Sequence, residues 1–235
     1  PWWITHRNMY TTAKDRFLLG ASLKFKITDW LDISGRVKYD KDVQTYERKM
    51  YASTLSVLAE NSSKGAYLKT DRNTTQTYAD VMLNVNKTFG DDWSLTANVG
   101  ASLNNIKTDE LSYRGPIQEN GLPNIFNVFD LDDTKKRAEK VGWHDQTQAI
   151  FANVEVGWRS MLYLTVTGRN DWASQLAYSA NSSFFYPSVG LSVVLSQLIP
   201  NMPENLSYIK LRGSFASVGV AFELSLIHIS EPTRR

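Results

Sequence analysis

The sequence predicts an all-β fold, an antiparallel up-and-down transmembrane β-barrel, present here as a partial arc of about eight strands in four hairpins. Three observations predict it: apolar and polar side chains alternate strictly, long links separate hairpins whose own turns are short, and aromatic residues mark those turns. The 235-residue chain is 42% hydrophobic and 21% charged. This composition excludes a disordered or low-complexity protein.

The first hairpin shows the alternation most clearly. One face of its first strand carries Leu19, Ala21, Leu23, Phe25 and Ile27. After a short link at residues 28–30, one face of the second strand carries Leu31, Ile33, Gly35, Val37 and Tyr39. Polar residues fill nearly all the positions between them. A two-residue period of this kind is typical of strands with two unlike faces.

Three further hairpins repeat the pattern. The second joins residues 79–86 to 93–103 through a turn at 89–92, and the third joins 150–158 to 162–166 through Arg159 and Ser160. The fourth joins 185–195 to 209–215 through a looser link that contains Pro200 and Pro203. The links between hairpins, at residues 41–75, 105–146 and 170–183, are long and polar. Compact soluble domains rarely contain several such loops, whereas barrels of the bacterial outer membrane have them on the extracellular side.

Alternation alone fits two folds. In a soluble or surface-exposed β-sandwich binding module the apolar face would form the core and the polar face would meet bulk water, whereas in a membrane barrel the apolar face meets lipid and the polar face lines the lumen. The apolar face carries no charge, and Trp30, Phe89, Trp93 and Trp158 lie at short turns, where an interfacial aromatic girdle is expected. The polar face carries many charges, including Lys24, Asp32, Arg36 and Asp80. An eight-stranded barrel has a narrow interior in which such charges would need near-complete pairing. We therefore predict a segment of a larger barrel.

Other classes of function are not supported. The absence of cysteine excludes a disulfide scaffold, a Cys-ligated zinc site, an iron–sulfur cluster and a thiol nucleophile, and a net charge of +2 gives no sign of nucleic-acid binding. His6 and His144 fall in predicted loops without a catalytic pattern, so no enzyme is expected. Asp130, Asp132 and Asp133 suggest a calcium loop, but Lys135 and Val141 occupy the positions where an EF-hand needs Gly and Glu. A looser calcium contact stays open; no metal site and no cofactor are predicted.

The end of the chain reads LSLIHISEPTRR from residue 224. This string resembles an in-frame translation of a sequencing-library adapter. We therefore predict one domain at residues 1–223 and interpret residues 224–235 as an assembly artefact rather than a domain. The alternative is an ordinary polar tail.

Several strings resemble SusC/RagA-type TonB-linked outer-membrane transporters. They are residues 1–4 (PWWI), 15–17 (DRF), 27–31 (ITDWL), 151–158 (FANVEVGW), 163–165 (YLT), 168–172 (GRNDW), 185–190 (FYPSVG) and 211–214 (LRGS). The resemblance implies a barrel of about 22 strands around a plug. It also implies import of oligosaccharides or peptides across the outer membrane of Bacteroidetes-type bacteria, with a SusD-like surface lipoprotein as a lid and TonB pulling on the plug. The signal peptide, TonB box, plug and last strands of that family are not expected within this sequence.

Seven residues are candidates for contact with substrate or a partner. They are Tyr46, Tyr67, Tyr113, Phe126, Trp143, Arg169 and Trp172. The aromatic ones, with Tyr51, could stack on sugar rings or hold a peptide, and could equally pack within the loops or against the lid. The GRNDW string that contains Arg169 and Trp172 could contact substrate at the rim, although a strand end with an interfacial Trp is the favoured interpretation. The inward Lys and Arg residues could tune the lumen potential or pair with plug carboxylates.

Overall fold

A computed structural model describes residues 6–177, 182–198 and 208–218 of the chain. Eight strands follow one another: β1 (Tyr10–Thr28), β2 (Leu31–Tyr51), β3 (Gly65–Phe89), β4 (Trp93–Pro116), β5 (Arg137–Trp158), β6 (Leu162–Ala173), β7 (Ser183–Val194) and β8 (Lys210–Ala216). Two 3₁₀ turns, Val128–Asp130 and Ser174–Leu176, and a four-residue α-helix, Leu195–Leu198, are the remaining elements. No helix in these described ranges is long and apolar enough to cross a membrane.

The strands form one open antiparallel sheet in sequence order, from β1 to β8. Its register keeps like side chains on one face. Val154 pairs with Val166, Val166 with Val189, and Val189 with Phe215, so an apolar row crosses four strands. A slip of one residue would turn such a row to the opposite face. All eight predicted strands and the predicted fold class are therefore confirmed.

The strands extend much further than the hydrophobic alternation predicts. β1 to β5 contain 19, 21, 25, 24 and 22 residues, about twice the 9–11 that a tilted strand needs to cross a bilayer. The links between hairpins accordingly shrink to residues 52–64, 117–136 and 174–182. The difference arises because the added segments are polar on both faces, as in residues 69–77 (KTDRNTTQT), and alternation cannot detect a strand of that kind.

The outward face changes character along each long strand. In β2 it is apolar up to Tyr39 and then continues with Lys41, whereas in β4 it is apolar up to Leu103 and continues with Asn105 and Lys107. Charged side chains on this face are costly in hydrocarbon. The predicted contact with lipid therefore ends at these positions, and we expect the remaining residues of β2 and β4 to lie outside the membrane.

The chain divides into two compact units. The second unit, Gly20–Lys38, Thr77–Asn105 and Asp145–Arg235, contains the predicted lipid-facing residues. There Leu23 is 77% exposed and Val99 is 49% exposed, and Val37 and Leu83 are also exposed. A β-sandwich needs a second sheet to cover such residues, and the described ranges hold a single sheet. The sandwich alternative is therefore wrong.

The first unit, Pro1–Leu19, Tyr39–Gln76 and Ile106–His144, contains the buried apolar clusters. One consists of Met50, Ala59 and Ala66, and the other of Tyr67, Ile117 and Leu131, with Tyr113 and Phe126 packed against it. Both lie where the links 52–64 and 117–136 meet the ends of strands. The link with Pro200 and Pro203, and the tail at residues 224–235, fall outside the described residues, so those two predictions stay predictions.

Candidate functional site

Ion pairs join neighbouring strands on the polar face of the sheet in the second unit. Lys24 Nζ lies 3.0 Å from Asp32 Oδ2, and Arg36 Nε donates to Asp80 Oδ2 at 2.9 Å. The Asp80 side chain is only 3% exposed. Asn84 Nδ2 also donates to Asp32 Oδ1, at 2.6 Å. Several of the charges predicted to face inward are thus paired across neighbouring strands, which reduces the cost of gathering them on one face.

A second group of polar contacts lies on the same face of the strands in the first unit. Arg16 donates to Asp40 through Nε and Nη2, with Nε 2.9 Å from Oδ1, and Lys14 Nζ lies 2.7 Å from Asp42 Oδ2. Arg72 Nε donates to Glu110 Oε2 at 2.6 Å. An open depression of about 320 Å³ is lined by Lys14, Arg16, Asp40, Asp42, Gln44, Arg72, Thr74 and Gln76. The lining of this depression therefore carries positively charged hydrogen-bond donors and negatively charged acceptors.

Aromatic side chains from three strands and one link form a cluster in the first unit. The Tyr67 ring centroid lies 5.9 Å from that of Tyr113 and 5.8 Å from that of Phe126, and Phe126 lies 5.0 Å from Tyr51 in an edge-on contact. We call these four residues the aromatic cluster. Such tilted and edge-on pairs are the favoured geometries of aromatic contacts. Tyr67 is 4% exposed, so its ring packs within the cluster.

One partly buried hydrogen bond fixes the polar end of the aromatic cluster. The Tyr67 hydroxyl donates to Glu47 Oε1 at 2.6 Å. Burial, together with this bond, raises the pKa of Tyr67 above its usual value. The same bond, helped by Lys49, holds the pKa of Glu47 below its usual value. The pair therefore consists of a neutral phenol and an ionised carboxylate around neutral pH.

The backbone around the cluster is tied together by side-chain hydrogen bonds. Asn8 accepts from the Tyr51 N–H at 3.1 Å and donates to Thr54 Oγ1 at 2.8 Å, and Asn124 Oδ1 accepts from the Ala52 N–H at 2.7 Å. Ser62 Oγ donates to the Ile117 carbonyl at 2.7 Å. These bonds join segments far apart in sequence, so the cluster is a preorganised part of the first unit.

Glycine is required at the start of β3. Gly65 has φ +113°, a conformation that L side chains rarely adopt, and a Cβ there would meet the Met50 carbonyl oxygen. Its own carbonyl accepts from the Ile117 N–H at 2.8 Å. The position thus joins both buried clusters of the first unit.

The structure brings together only part of the predicted site. Tyr67, Tyr113 and Phe126 meet in the aromatic cluster, but Tyr46 lies on β2 with its ring 6.5 Å from Tyr10. Trp143 is an exposed residue of β5. Of the five aromatic candidates predicted to lie in loops, only Phe126 does so, because the polar strand extensions contain the other four. Arg169 and Trp172 lie near the end of β6, in line with the favoured interpretation of a strand end.

Arg169 and Trp172 lie on opposite faces of β6, since three positions separate them. Arg169 Nε donates to Asp171 Oδ1 at 2.6 Å, and its guanidinium lies 5.8 Å from the Phe151 ring. Trp172 shares its face with the apolar row of Val166 and lines an open depression of about 510 Å³ together with Val81, Leu103 and Ile150. The two ends of the GRNDW string therefore face different surroundings.

Sequence reasoning missed Tyr10, Glu47 and the Arg16–Asp40 pair. Each depends on which residues of neighbouring strands lie side by side, and the sequence of polar strand segments does not set a register. The acidic turn at Asp130, Asp132 and Asp133 also finds local partners: Asp132 accepts from the Thr134 N–H at 2.9 Å, and Asp133 pairs with Lys136. Within the described ranges no group of three His, Cys, Asp or Glu side chains is placed to hold a metal.

Two solved structures of the same assembly, RagAB, have a fold similar to that of this chain. The structure of the RagAB peptide transporter matches with a TM-score of 0.72 and 15% identity, over 91% of this chain and 23% of that chain. The RagAB peptide importer in the 'open-open' state matches with a TM-score of 0.70 and 14% identity, over 91% and 23%. This chain thus spans about a quarter of the RagAB chain, and identities this low show a shared fold.

A more distant likeness is the siderophore receptor PiuA from Acinetobacter baumannii, with a TM-score of 0.52 and 14% identity over 80% of this chain and 31% of that chain. A search among curated proteins finds no match.

The family comparison is decisive. The model of the family described as "TonB dependent receptor-like, beta-barrel" matches residues 1–223. Members of this family are outer-membrane transport proteins and not enzymes, which agrees with the predicted fold, membrane location and lack of catalytic residues. Because the match covers nearly the whole sequence, the chain belongs to the TonB-dependent receptor-like β-barrel family.

Proposed function

We propose that this chain forms part of the barrel wall of a SusC/RagA-type transporter that imports oligosaccharides or peptides through the outer membrane of a Bacteroidetes-type bacterium. The observation that carries the proposal is the sheet with two unlike faces. Leu23 and Val99 expose apolar surface on one side, whereas Asp80 and Asp32 are held in ion pairs on the other. Such a sheet separates lipid from an aqueous path.

The polar face supports a solute that hydrogen bonds along the wall. Paired charges such as Arg16–Asp40 and Arg72–Glu110 present fixed donors and acceptors, and Tyr46 and Tyr10 add aromatic surface beside them. Sugar hydroxyls and peptide amides both fit this chemistry. The likeness to RagAB, described as a peptide transporter, favours a peptide as the first substrate to test.

The seven candidate residues receive different roles in this proposal. Tyr46, Trp143 and Arg169 contact substrate or a partner on the inward face, which the alternation of β2, β5 and β6 assigns to them. Trp172, on the apolar face, anchors the strand at the membrane interface. Tyr67, Tyr113 and Phe126 support the links through the aromatic cluster.

The proposed partner on the outer side is a SusD-like surface lipoprotein. The links 52–64 and 117–136 expose large apolar side chains, among them Leu55, Val57, Leu122 and Phe129. Exposed apolar groups of this size on polar links are typical of protein–protein contacts. The proposed inner partner is TonB, which would act through a plug within the intact protein.

Uptake by the intact protein that contains this chain tests the proposal. Cells with and without the gene are given labelled oligopeptides, labelled oligosaccharides or ferric siderophores, each with and without a proton-gradient uncoupler. The proposal expects gene-dependent, uncoupler-sensitive uptake of peptides or oligosaccharides. Uptake that resists the uncoupler would indicate a passive porin, and uptake of siderophores alone would refute the proposed substrate class.

A test of the partner uses the same strain. An affinity tag on the intact protein should co-purify a lipidated surface protein encoded beside it. Replacing Leu122 and Phe129 with Asp should reduce that yield, whereas replacing the exposed Asn120 with Asp should not. Equal recovery from all three forms would refute a role for these apolar groups.

A further inference from the structure

The outward face of β3 ends in a cation between two aromatic rings. Ala79, Val81, Leu83 and Val85 form its apolar run, and Lys87 and Phe89 are the next two residues on that face. The Lys87 ammonium lies 4.6 Å from the Trp30 ring centroid and 5.2 Å from that of Phe89. Lys87 is thus the first charge after the lipid-facing run.

This cation has no carboxylate partner among the residues the structure describes, whereas the comparable cation at another short turn does. Arg159 lies 5.2 Å from the Trp158 ring, and its Nε donates to Asp92 Oδ1 at 2.7 Å. Lys87 forms no such ion pair within the described part of the chain. One rim cation is therefore neutralised within the protein and the other is not.

The two rings attract the Lys87 ammonium but leave its hydrogen-bond donors without acceptors. An aromatic face attracts a cation but accepts no strong hydrogen bond, and a lysine has three N–H donors. The backbone of Trp30 is held next to β3, because its carbonyl accepts from the Asn86 N–H at 2.8 Å. Trp30, Phe89 and Trp93 remain exposed. The arrangement positions a positive charge with free donors beside apolar ring surface.

The depth of this site matches lipid headgroups. Lys87 follows Val85 by two residues, about 7 Å along the strand, and the short turns of such barrels mark one membrane interface. Basic side chains at that level attract anionic lipids. We propose that Lys87, Trp30 and Phe89 form a binding site for the phosphate of an anionic phospholipid in the leaflet on the side of the short turns.

Native mass spectrometry of the intact protein in detergent, titrated with phosphatidylglycerol, tests the proposal. Lys87→Gln should weaken binding of phosphatidylglycerol about fivefold, the ratio expected for one lysine at an anionic surface. Trp30→Leu keeps the charge but removes a ring, and should weaken binding about threefold. Lys87→Arg should bind like the original protein.

Lys38 supplies the matched control, since its ammonium also lies over an aromatic ring, 6.0 Å from Tyr78, but on the inward face. Lys38→Gln should leave lipid binding unchanged, and zwitterionic phosphatidylethanolamine should bind weakly to every form. Binding of Lys87→Gln within twofold of the original would overturn the proposal. So would an equal loss in Lys38→Gln, unchanged binding in Trp30→Leu, or equal affinity for the two lipids.

Discussion

The hydrogen bond between Tyr67 and Glu47 predicts that one hydroxyl group stabilises the links of the first unit. Tyr67→Phe keeps the ring and its contacts with Tyr113 and Phe126 but removes the donor to Glu47. A hydrogen bond to a charged group contributes about 1.5–3 kcal/mol. Glu47 keeps Lys49 at 3.0 Å and is partly exposed, so we expect the lower end, about 1.5 kcal/mol.

Hydrogen exchange measured on the intact protein can detect a loss of this size. A cost of about 1.5 kcal/mol corresponds to roughly tenfold faster opening. The increase should appear in peptides that cover residues 52–64 and 117–131, where amides such as those of Ala52 and Ile117 close the cluster. Peptides that cover residues 79–86 should exchange as before.

Tyr10→Phe is the matched control, because Tyr10 is exposed and its hydroxyl forms no hydrogen bond with any residue in the described part of the chain. It should leave exchange of both links unchanged. The reasoning is refuted if Tyr67→Phe exchanges at the original rate, or if Tyr10→Phe speeds exchange equally.

The structure makes three more predictions. Acid should remove the difference in stability between the original protein and Tyr67→Phe. Because the pKa of Glu47 is lowered in the folded protein, its contribution to stability is complete above the unfolded-state pKa of about 4.3 and is lost as the pH falls through the folded-state pKa. Exchange rates of the two forms should converge below about pH 4, and a constant difference would contradict this. Gly65→Ala should lower the free energy of unfolding by at least about 2 kcal/mol, because of the positive φ and the clash of the new Cβ with the Met50 carbonyl oxygen. Heat-modifiable gel mobility should show a lower unfolding temperature for this variant than for Gly213→Ala, since a Cβ at Gly213 meets nothing within 4 Å. By the same assay, Asp80→Asn should lower the free energy of unfolding by about 2 kcal/mol, since the nearly buried Asp80 carboxylate accepts from Arg36. Asp42→Asn, in the more exposed pair with Lys14, should lower it by less than about 1 kcal/mol; equal effects would refute the burial argument.

The positions and faces of the strands could be predicted because lipid and water impose opposite demands on neighbouring residues. Leu23 and Val37 alternate with Lys24 and Lys38, and the turns at residues 29–30 and 159–161 follow directly from where that alternation stops. The polar extensions of β2 to β5, which continue beyond the apolar alternation, could not be predicted in this way. Neither of their faces is apolar, so hydrogen bonds to neighbouring strands, rather than hydrophobic pattern, determine their extent.

The candidate site was predictable only as a set of residue types. Tyr67, Tyr113 and Phe126 were among the aromatic residues of the predicted loops, but their meeting depends on the link 117–136 returning over β3. Glu47 gave no signal, because its partner lies on another strand. The different surroundings of Arg169 and Trp172 follow from strand alternation once GRNDW is known to be a strand rather than a turn.

The central claim is that one face of the sheet contacts lipid and the other borders water. The chain contains no cysteine, so single cysteines introduced into the intact protein at Leu23 and Leu83 on one face, and at Ser22 and Asn84 on the other, can carry spin labels in a bilayer. The account predicts that oxygen, which concentrates in lipid, relaxes the labels at 23 and 83 more strongly, whereas a water-soluble nickel complex relaxes those at 22 and 84. Equal access of the nickel complex to all four labels would contradict it.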